Sequence, residues 1–316
     1  MPYPPIEPFN SGFLETGDGH RVYWEECGNP DGIPALILHG GPGSGCTPNQ
    51  RRNFDPTKYR IVLFDQRNCG RSLPHASEAD VDLSSNTTHH LIQDIETLRR
   101  QLKVDKWLIW GASWGSVLAL AYAEQHPEHV SGLILMVMGT GRRMETRLMT
   151  EGFAPLFPEA WSQFSKFTER AKTEGSIIER YNELFFDSDP AIRFQAAQNW
   201  CDWETAIVPT GKPSPRFESP EYRLCFARIV THYWKYGSWL EENQILNNAD
   251  KLVGIPGFIL QGRLDLSNLS GSPWELVARW PDCELEFFES GHEGNQAMID
   301  RLIAVTDHFA ENATIR

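Results

Sequence analysis

Short apolar runs bounded by turn residues recur along this chain, and stretches of helical periodicity separate them. The runs His20–Cys27, Ala35–Leu38, Arg60–Asp65, Lys106–Trp110, Gly132–Val137, Gly257–Gln261 and Glu284–Glu289 predict strands. Those around Ala35, Ile61, Leu108, Leu133 and Phe258 are nearly continuous in apolar residues, as strands covered on both faces should be. Between them, Leu91, Ile95, Leu98 and Leu102 recur on one helical face, with Asp94, Glu96, Arg99 and Arg100 elsewhere. Alternating strand and helix predicts an α/β fold with a doubly wound, mostly parallel sheet.

The alternation stops between about residues 139 and 248. This segment is rich in tryptophan and phenylalanine, reads as helical, and gives way to a strand pattern again at Ile255–Gln261. The expected division is therefore a sheet domain built from residues 1–138 and 249–316, with an inserted helical cap at 139–248.

The chain has 316 residues, 41% of them hydrophobic and 22% charged, an ordinary globular composition. A net charge of −13 disfavours nucleic acid and anionic lipid as partners. No window approaches the ~20 apolar residues of a membrane span. The start, Met1-Pro2-Tyr3-Pro4-Pro5-Ile6-Glu7, shows neither the basic nor the apolar region of a signal peptide. Six cysteines are scattered without a C-x-x-C pair, so neither a zinc site nor a disulfide framework is expected, and a cytoplasmic setting is. Oligomeric state stays open.

Candidate chemistry centres on Gly111-Ala112-Ser113-Trp114-Gly115, a G-x-S-x-G sequence between the apolar run Trp107–Trp110 and the helix-compatible run Val117–Tyr122. A strand, a sharp turn and a helix would hold a serine hydroxyl exposed at the turn. Such a hydroxyl is a weak nucleophile and needs a base oriented by a third group. In this fold class the chain order is Ser, then Asp or Glu, then His. Asp265 follows one apolar strand, and His292, in Ser290-Gly291-His292-Glu293-Gly294, follows the next. Loops at the carboxyl ends of parallel strands converge, so the three can meet. Asp282 competes with Asp265 but precedes its strand. The expected oxyanion donors are the backbone amides of Trp114 and of Gly41, the latter in His39-Gly40-Gly41-Pro42-Gly43. No metal and no organic cofactor is implied.

Together these residues resemble the prolyl iminopeptidase (proline iminopeptidase) family of α/β hydrolases, serine peptidases that release an N-terminal proline. His39–Gly43, Asp65–Ser72 with Asn86-Thr87-Thr88, and Gly111–Ser116 look like family signatures. In the cap so do Phe157–Trp161, Trp200–Glu204, and Phe226–Ile229 followed by His232-Tyr233. The resemblance implies that Glu204 binds the substrate's free α-amino group. Three departures stand beside it. Val230 occupies the place of a second amine-binding glutamate. Gly139 and Met136 stand where the family pocket has an aromatic residue and an arginine, and Asn268 replaces a thiol three residues after the catalytic Asp. These changes lead to the expectation of a roomier or less cationic acyl pocket. The expected substrate is a small peptide or aminoacyl amide that yields its N-terminal residue through an acyl-enzyme. The alternative is an esterase or amidase acting on an uncharged or larger acyl group.

Overall fold

A computed structural model describes residues 1–208 and 212–313. Eight strands form one sheet: β1 (Asn10–Glu15), β2 (Arg21–Gly28), β3 (Ile33–Leu38), β4 (Tyr59–Phe64), β5 (Trp107–Ala112), β6 (Val130–Met136), β7 (Gly257–Gly262) and β8 (Cys283–Phe288). Their spatial order is β1-β2-β4-β3-β5-β6-β7-β8. β1 and β2 run antiparallel to their neighbours, and every pairing from β4 to β8 is parallel. β1 was not anticipated. It is an edge strand in which only Leu14 is buried, so it carries almost no apolar signal.

Helices α1 (Thr88–Gln101) and α2 (Trp114–Gln125) follow β4 and β5. Thr87 caps α1 by accepting the amide of His90. The stripe Leu91, Ile95, Leu98 and Leu102 is buried as expected. Asp94 is buried too, contrary to its placement on the polar side of the helix. Arg67 takes its carboxylate bidentately at 2.6 and 2.8 Å, which makes burial tolerable. α2 is apolar nearly all round and is buried along almost its whole length, as a helix clamped between the sheet and further layers must be.

Between β6 and β7 the described residues contain no strand. They form α3 (Arg143–Arg147), α4 (Pro158–Phe167), α5 (Ile177–Leu184), α6 (Pro190–Ala206), α7 (Pro220–Lys235) and α8 (Gln244–Asn247), with short 3₁₀ and π turns. This segment has its own core, in which Phe164, Tyr181, Trp200 and Trp203 pack ring against ring. α9 (Gly271–Val277) and α10 (Gln296–Ala313) complete the sheet domain. All six cysteines are free. Among the described residues no helix is long and apolar enough to cross a membrane.

Polar contacts fasten the helical segment to the sheet domain. Asn86 accepts from Tyr233 Oη at 2.7 Å through its side chain, and its carbonyl lies 3.0 Å from His232 Nε2. Fully buried Arg228 donates to the carbonyls of Ala76, Glu78 and Phe185. The Asn86–Thr88 and Phe226–Tyr233 patterns in the sequence are thus two halves of one joint.

Candidate active site

Ser113 sits between β5 and α2 with φ 54° and ψ −123°, a strained conformation for a residue with a side chain. The strain is held from both sides. Its amide donates to Met136 O at 3.0 Å, and its carbonyl accepts Ser116 N at 2.8 Å. The turn is so close to β3 that a Cβ on Gly115 would stand 2.0 Å from Leu38 O, which explains the second glycine of the motif.

Asp265 follows β7 and His292 follows β8, and the structure brings them together: His292 Nδ1 lies 2.9 Å from Asp265 Oδ2. The remaining carboxylate oxygen, Oδ1, accepts the amides of Ser267 and Asn268 at 2.9 and 2.8 Å. These bonds fix the Asp265 carboxylate, and the contact to Nδ1 leaves Nε2 of the ring for the pocket. Burial would lower the His292 pKa, but Asp265, with help from Glu204 and Glu293, outweighs it and raises the pKa above the ordinary imidazole value. Ser113, His292, Gly41 and Trp114 all line one cavity of about 880 Å³, within the range of small-molecule sites.

The two expected oxyanion segments are tied to each other. Gln66 donates its backbone N–H to His39 Nε2 at 3.0 Å and its side-chain amide to His39 O at 2.9 Å. Its side-chain oxygen accepts Trp114 Nε1 at 2.9 Å. Burial pushes His39 down to about 4, so the ring is neutral and acts as a fixed acceptor. Asp65 completes the frame by accepting Cys46 N at 2.7 Å and Arg71 Nε at 2.7 Å. The Asp65–Ser72 signature therefore supports the loop that carries Gly41. Gly41 itself has φ 113°, open to glycine alone.

The residues expected to line the substrate pocket divide. Glu204, near the C-terminal end of α6, lines the cavity and accepts Trp200 Nε1 at 2.7 Å. Withdrawal from water pushes its carboxyl up to about 7, against the lowering effects of Trp200 and His292. Met136 and Gly139 also line the cavity. Val230 does not. It shares the α7 stripe with Tyr222, Phe226 and Trp234, which do line it, but Val230 has no exposed surface and packs inside the core of the helical segment. Its expected place in the substrate pocket is therefore corrected. The expected extra room at Gly139 is corrected as well. A Cβ there would lie 2.6 Å from Asn268 Oδ1, so the Asn268 carboxamide already fills that space.

Sequence reasoning named Asn268 only as a departure, yet it is central. Its Nδ2 donates to Val137 O at 2.7 Å and stands 3.5 Å from Ser113 Oγ. Val137, just past β6, has φ 46°, a rare conformation for a β-branched residue. Gln261 braces the same corner, donating to Asn268 O at 2.7 Å and accepting Met138 N at 2.9 Å. Gln261 and Val137 were both legible as strand ends, but nothing in the sequence marked the positive φ of Val137. Among the described residues no group of His, Cys, Asp or Glu is arranged to hold a metal ion.

Comparison with known proteins bears on the fold and the family. A family model described as the alpha/beta hydrolase fold matches residues 34–295. A Streptomyces coelicolor protein described as a probable proline iminopeptidase is 47% identical over 99% of this chain and 98% of its own. This chain belongs to the proline iminopeptidase family. Members from Neisseria meningitidis and Arabidopsis thaliana are 40% and 41% identical over 95% and 96% of this chain, and over 96% and 80% of theirs. Solved structures share the fold at lower identity. The proline iminopeptidase of Mycobacterium smegmatis has a TM-score of 0.63 at 18% identity, covering 96% of this chain and 98% of its own. An esterase from Exiguobacterium antarcticum has a TM-score of 0.57 at 19% identity, covering 96% and 100%.

Proposed function

We propose that this protein is an aminopeptidase that releases an N-terminal residue, proline foremost, from small peptides and aminoacyl amides. The observation that carries the reading is the Glu204 carboxyl, held in an aromatic-walled cavity together with Ser113 and His292. A carboxylate in the wall of such a cavity pairs with one ammonium, which would limit the enzyme to removing one residue. A bound ammonium also draws Glu204 into its charged form, because an opposite charge offsets the cost of burial.

With the amine on Glu204, Ser113 Oγ attacks the scissile carbonyl carbon and its proton passes to His292 Nε2. Asp265 holds the ring through Nδ1–H and stabilises the imidazolium. The amides of Gly41 and Trp114 donate to the oxygen as it becomes negative. His292 then gives its proton to the departing amine nitrogen as the C–N bond breaks, leaving the acyl-enzyme. Water, deprotonated by His292, attacks the ester and frees Ser113. The helical segment 139–248 acts in this reading as a cap that supplies the amine site and excludes water.

The experiment is turnover of a prolyl arylamide and its N-acetyl derivative, with Ser113→Ala as control. N-acetylation should lower kcat/KM by about 100-fold or more, the loss expected when a buried charge loses its partner. Equal rates would overturn the free-amine requirement. Ser113→Ala should remove about 10⁴-fold or more of kcat.

A second reading, an esterase or amidase for uncharged acyl groups, draws on the same carboxyl. With its pKa near 7, Glu204 is largely neutral below neutrality, and a neutral wall suits an uncharged acyl group. Aryl esters turned over well beside poor aminoacyl amides would favour it.

A further inference from the structure

The cavity is lined by the cations Lys212 and Arg216 as well as by the carboxyls of Glu145, Glu204 and Glu293. Arg216 lines it, on the short 3₁₀ turn Pro215–Glu218 that precedes α7. Among the described residues only one nitrogen of its guanidinium is engaged: Nη1 donates to Ser44 O at 2.5 Å and approaches Gly45 O and Tyr222 Oη, both at 3.3 Å. Nε and Nη2, carrying three N–H donors, have no hydrogen-bond partner among the described residues, and no carboxylate there lies within ion-pair distance of the group. The well-buried arginines of the sheet domain behave otherwise. Arg51 pairs with Glu25 and Arg67 with Asp94 and Asp18, and partly exposed Arg71 pairs with Asp65 and Glu25. In a chain of net charge −13, an arginine that lines a binding cavity and has no carboxylate within ion-pair distance among the described residues is conspicuous.

Its anchorage also places it. Ser44 and Gly45 end the loop that begins with Gly40 and Gly41, so Arg216 is tied to the segment expected to hold the oxyanion. The Tyr222 ring beneath the guanidinium, 5.6 Å from centroid to Cζ, helps to fix its plane. A planar fork with two free nitrogens matches a carboxylate bidentately.

We infer that Arg216 binds the carboxylate of the leaving amino acid, so that the preferred substrates are zwitterionic dipeptides, with the α-ammonium on Glu204 and the C-terminal carboxylate on Arg216. This rests on the aminopeptidase reading. Two extended residues span about 7 Å, and longer peptides would carry an uncharged peptide group to the arginine. The cavity volume is ample for such a ligand.

The test compares prolyl-alanine, prolyl-alanine amide and prolyl-aspartate amide on the wild type and on Arg216→Gln. The third peptide distinguishes a side-chain carboxylate from the terminal one. The wild type should favour the free dipeptide over its amide by about 10- to 100-fold in kcat/KM, the range expected of a charge-assisted hydrogen-bonded pair. Arg216→Gln should bring that ratio close to one. Using a ratio within each protein cancels any disturbance of the Ser44 loop. A wild-type ratio near one, an unchanged ratio in the variant, or equal preference for prolyl-aspartate amide would overturn the assignment. Turnover of the prolyl arylamide tests the aminopeptidase reading separately. If no peptide is cleaved, the same ratio is read from competitive inhibition of aryl acetate hydrolysis. A free dipeptide that inhibits better than its amide, and loses that advantage in Arg216→Gln, upholds the role of Arg216, and equal inhibition by the two overturns it.

Discussion

The strand-end loops and the helical segment treat their polar groups in opposite ways. Around Ser113, Asp265 and His39 almost every donor has an acceptor within the protein: Asp265 is held by two backbone amides and His292, and His39 by Gln66 on both sides. In the helical segment, Glu204 has a single side-chain donor in Trp200, and Arg216 has two nitrogens without partners among the described residues. The contrast separates two jobs. Groups that must be in place before the substrate arrives are fixed by the fold, because preorganised dipoles need no reorganisation during reaction. The groups to which we assign substrate recognition are left incomplete, so that the correct ligand would complete them.

The severest way to challenge this division is to add a charge inside the apolar core of the helical segment. Val230→Glu would restore a carboxylate at the position where the family resemblance expects one. In this structure it would enter the closed core of the helical segment, to which Trp200, Trp203 and Phe226 also belong. A buried carboxyl without a partner should lower stability by about 3–5 kcal/mol, read from the midpoint of urea unfolding. A variant of unchanged stability with tighter binding of free-amine substrates would mean that α7 presents this position to the cavity after all.

A smaller effect tests the other side of the comparison. Gly139→Ala places a methyl 2.6 Å from Asn268 Oδ1 and 3.6 Å from Glu145 Oε2. Asn268 must swing away, releasing Val137 O and the neighbourhood of Ser113. Overpacking of this kind costs about 1–3 kcal/mol, and kcat should fall about tenfold. Asn268→Ala in the same chain removes the clash, so the two changes should couple by about 1 kcal/mol or more in a double-mutant cycle. Strict additivity would show that the two positions do not share the space.

Much of the sheet domain was legible because its signals are local. Apolar runs mark β2 to β8, the two glycines mark the turn at Ser113, and chain order ranks Asp265 and His292. β1 escaped because a single buried residue in an edge strand leaves no pattern. The burial of Asp94 escaped because it depends on Arg67, remote in sequence, arriving beside it. The acyl wall was the hardest part to read. Whether Val230 faces a cavity or a core depends on how α5 and α6 pack against α7, and whether Gly139 opens space depends on Asn268, more than a hundred residues away. Those are questions of packing between elements, and periodicity within one element does not answer them.

The smallest effect concerns the cost of holding Glu204 ready. Its carboxyl keeps its proton up to about pH 7, whereas the ordinary value is 4.5. Between those two pH values the folded state binds more protons than the unfolded state, so stability falls as pH rises through the window and the loss is complete above it. Glu204→Gln keeps the shape, and its side-chain oxygen can still accept from Trp200. Relative to wild type it should leave Tm unchanged near pH 4 and raise it by about 2 °C or more at pH 8, the shift expected of about 1 kcal/mol in a chain of this size. The same variant should lose turnover of free-amine substrates, so the group that weakens the fold is the one the substrate needs. A Tm difference independent of pH would mean that Glu204 is well solvated in the free protein, and that its charge does not await an ammonium to be stabilised.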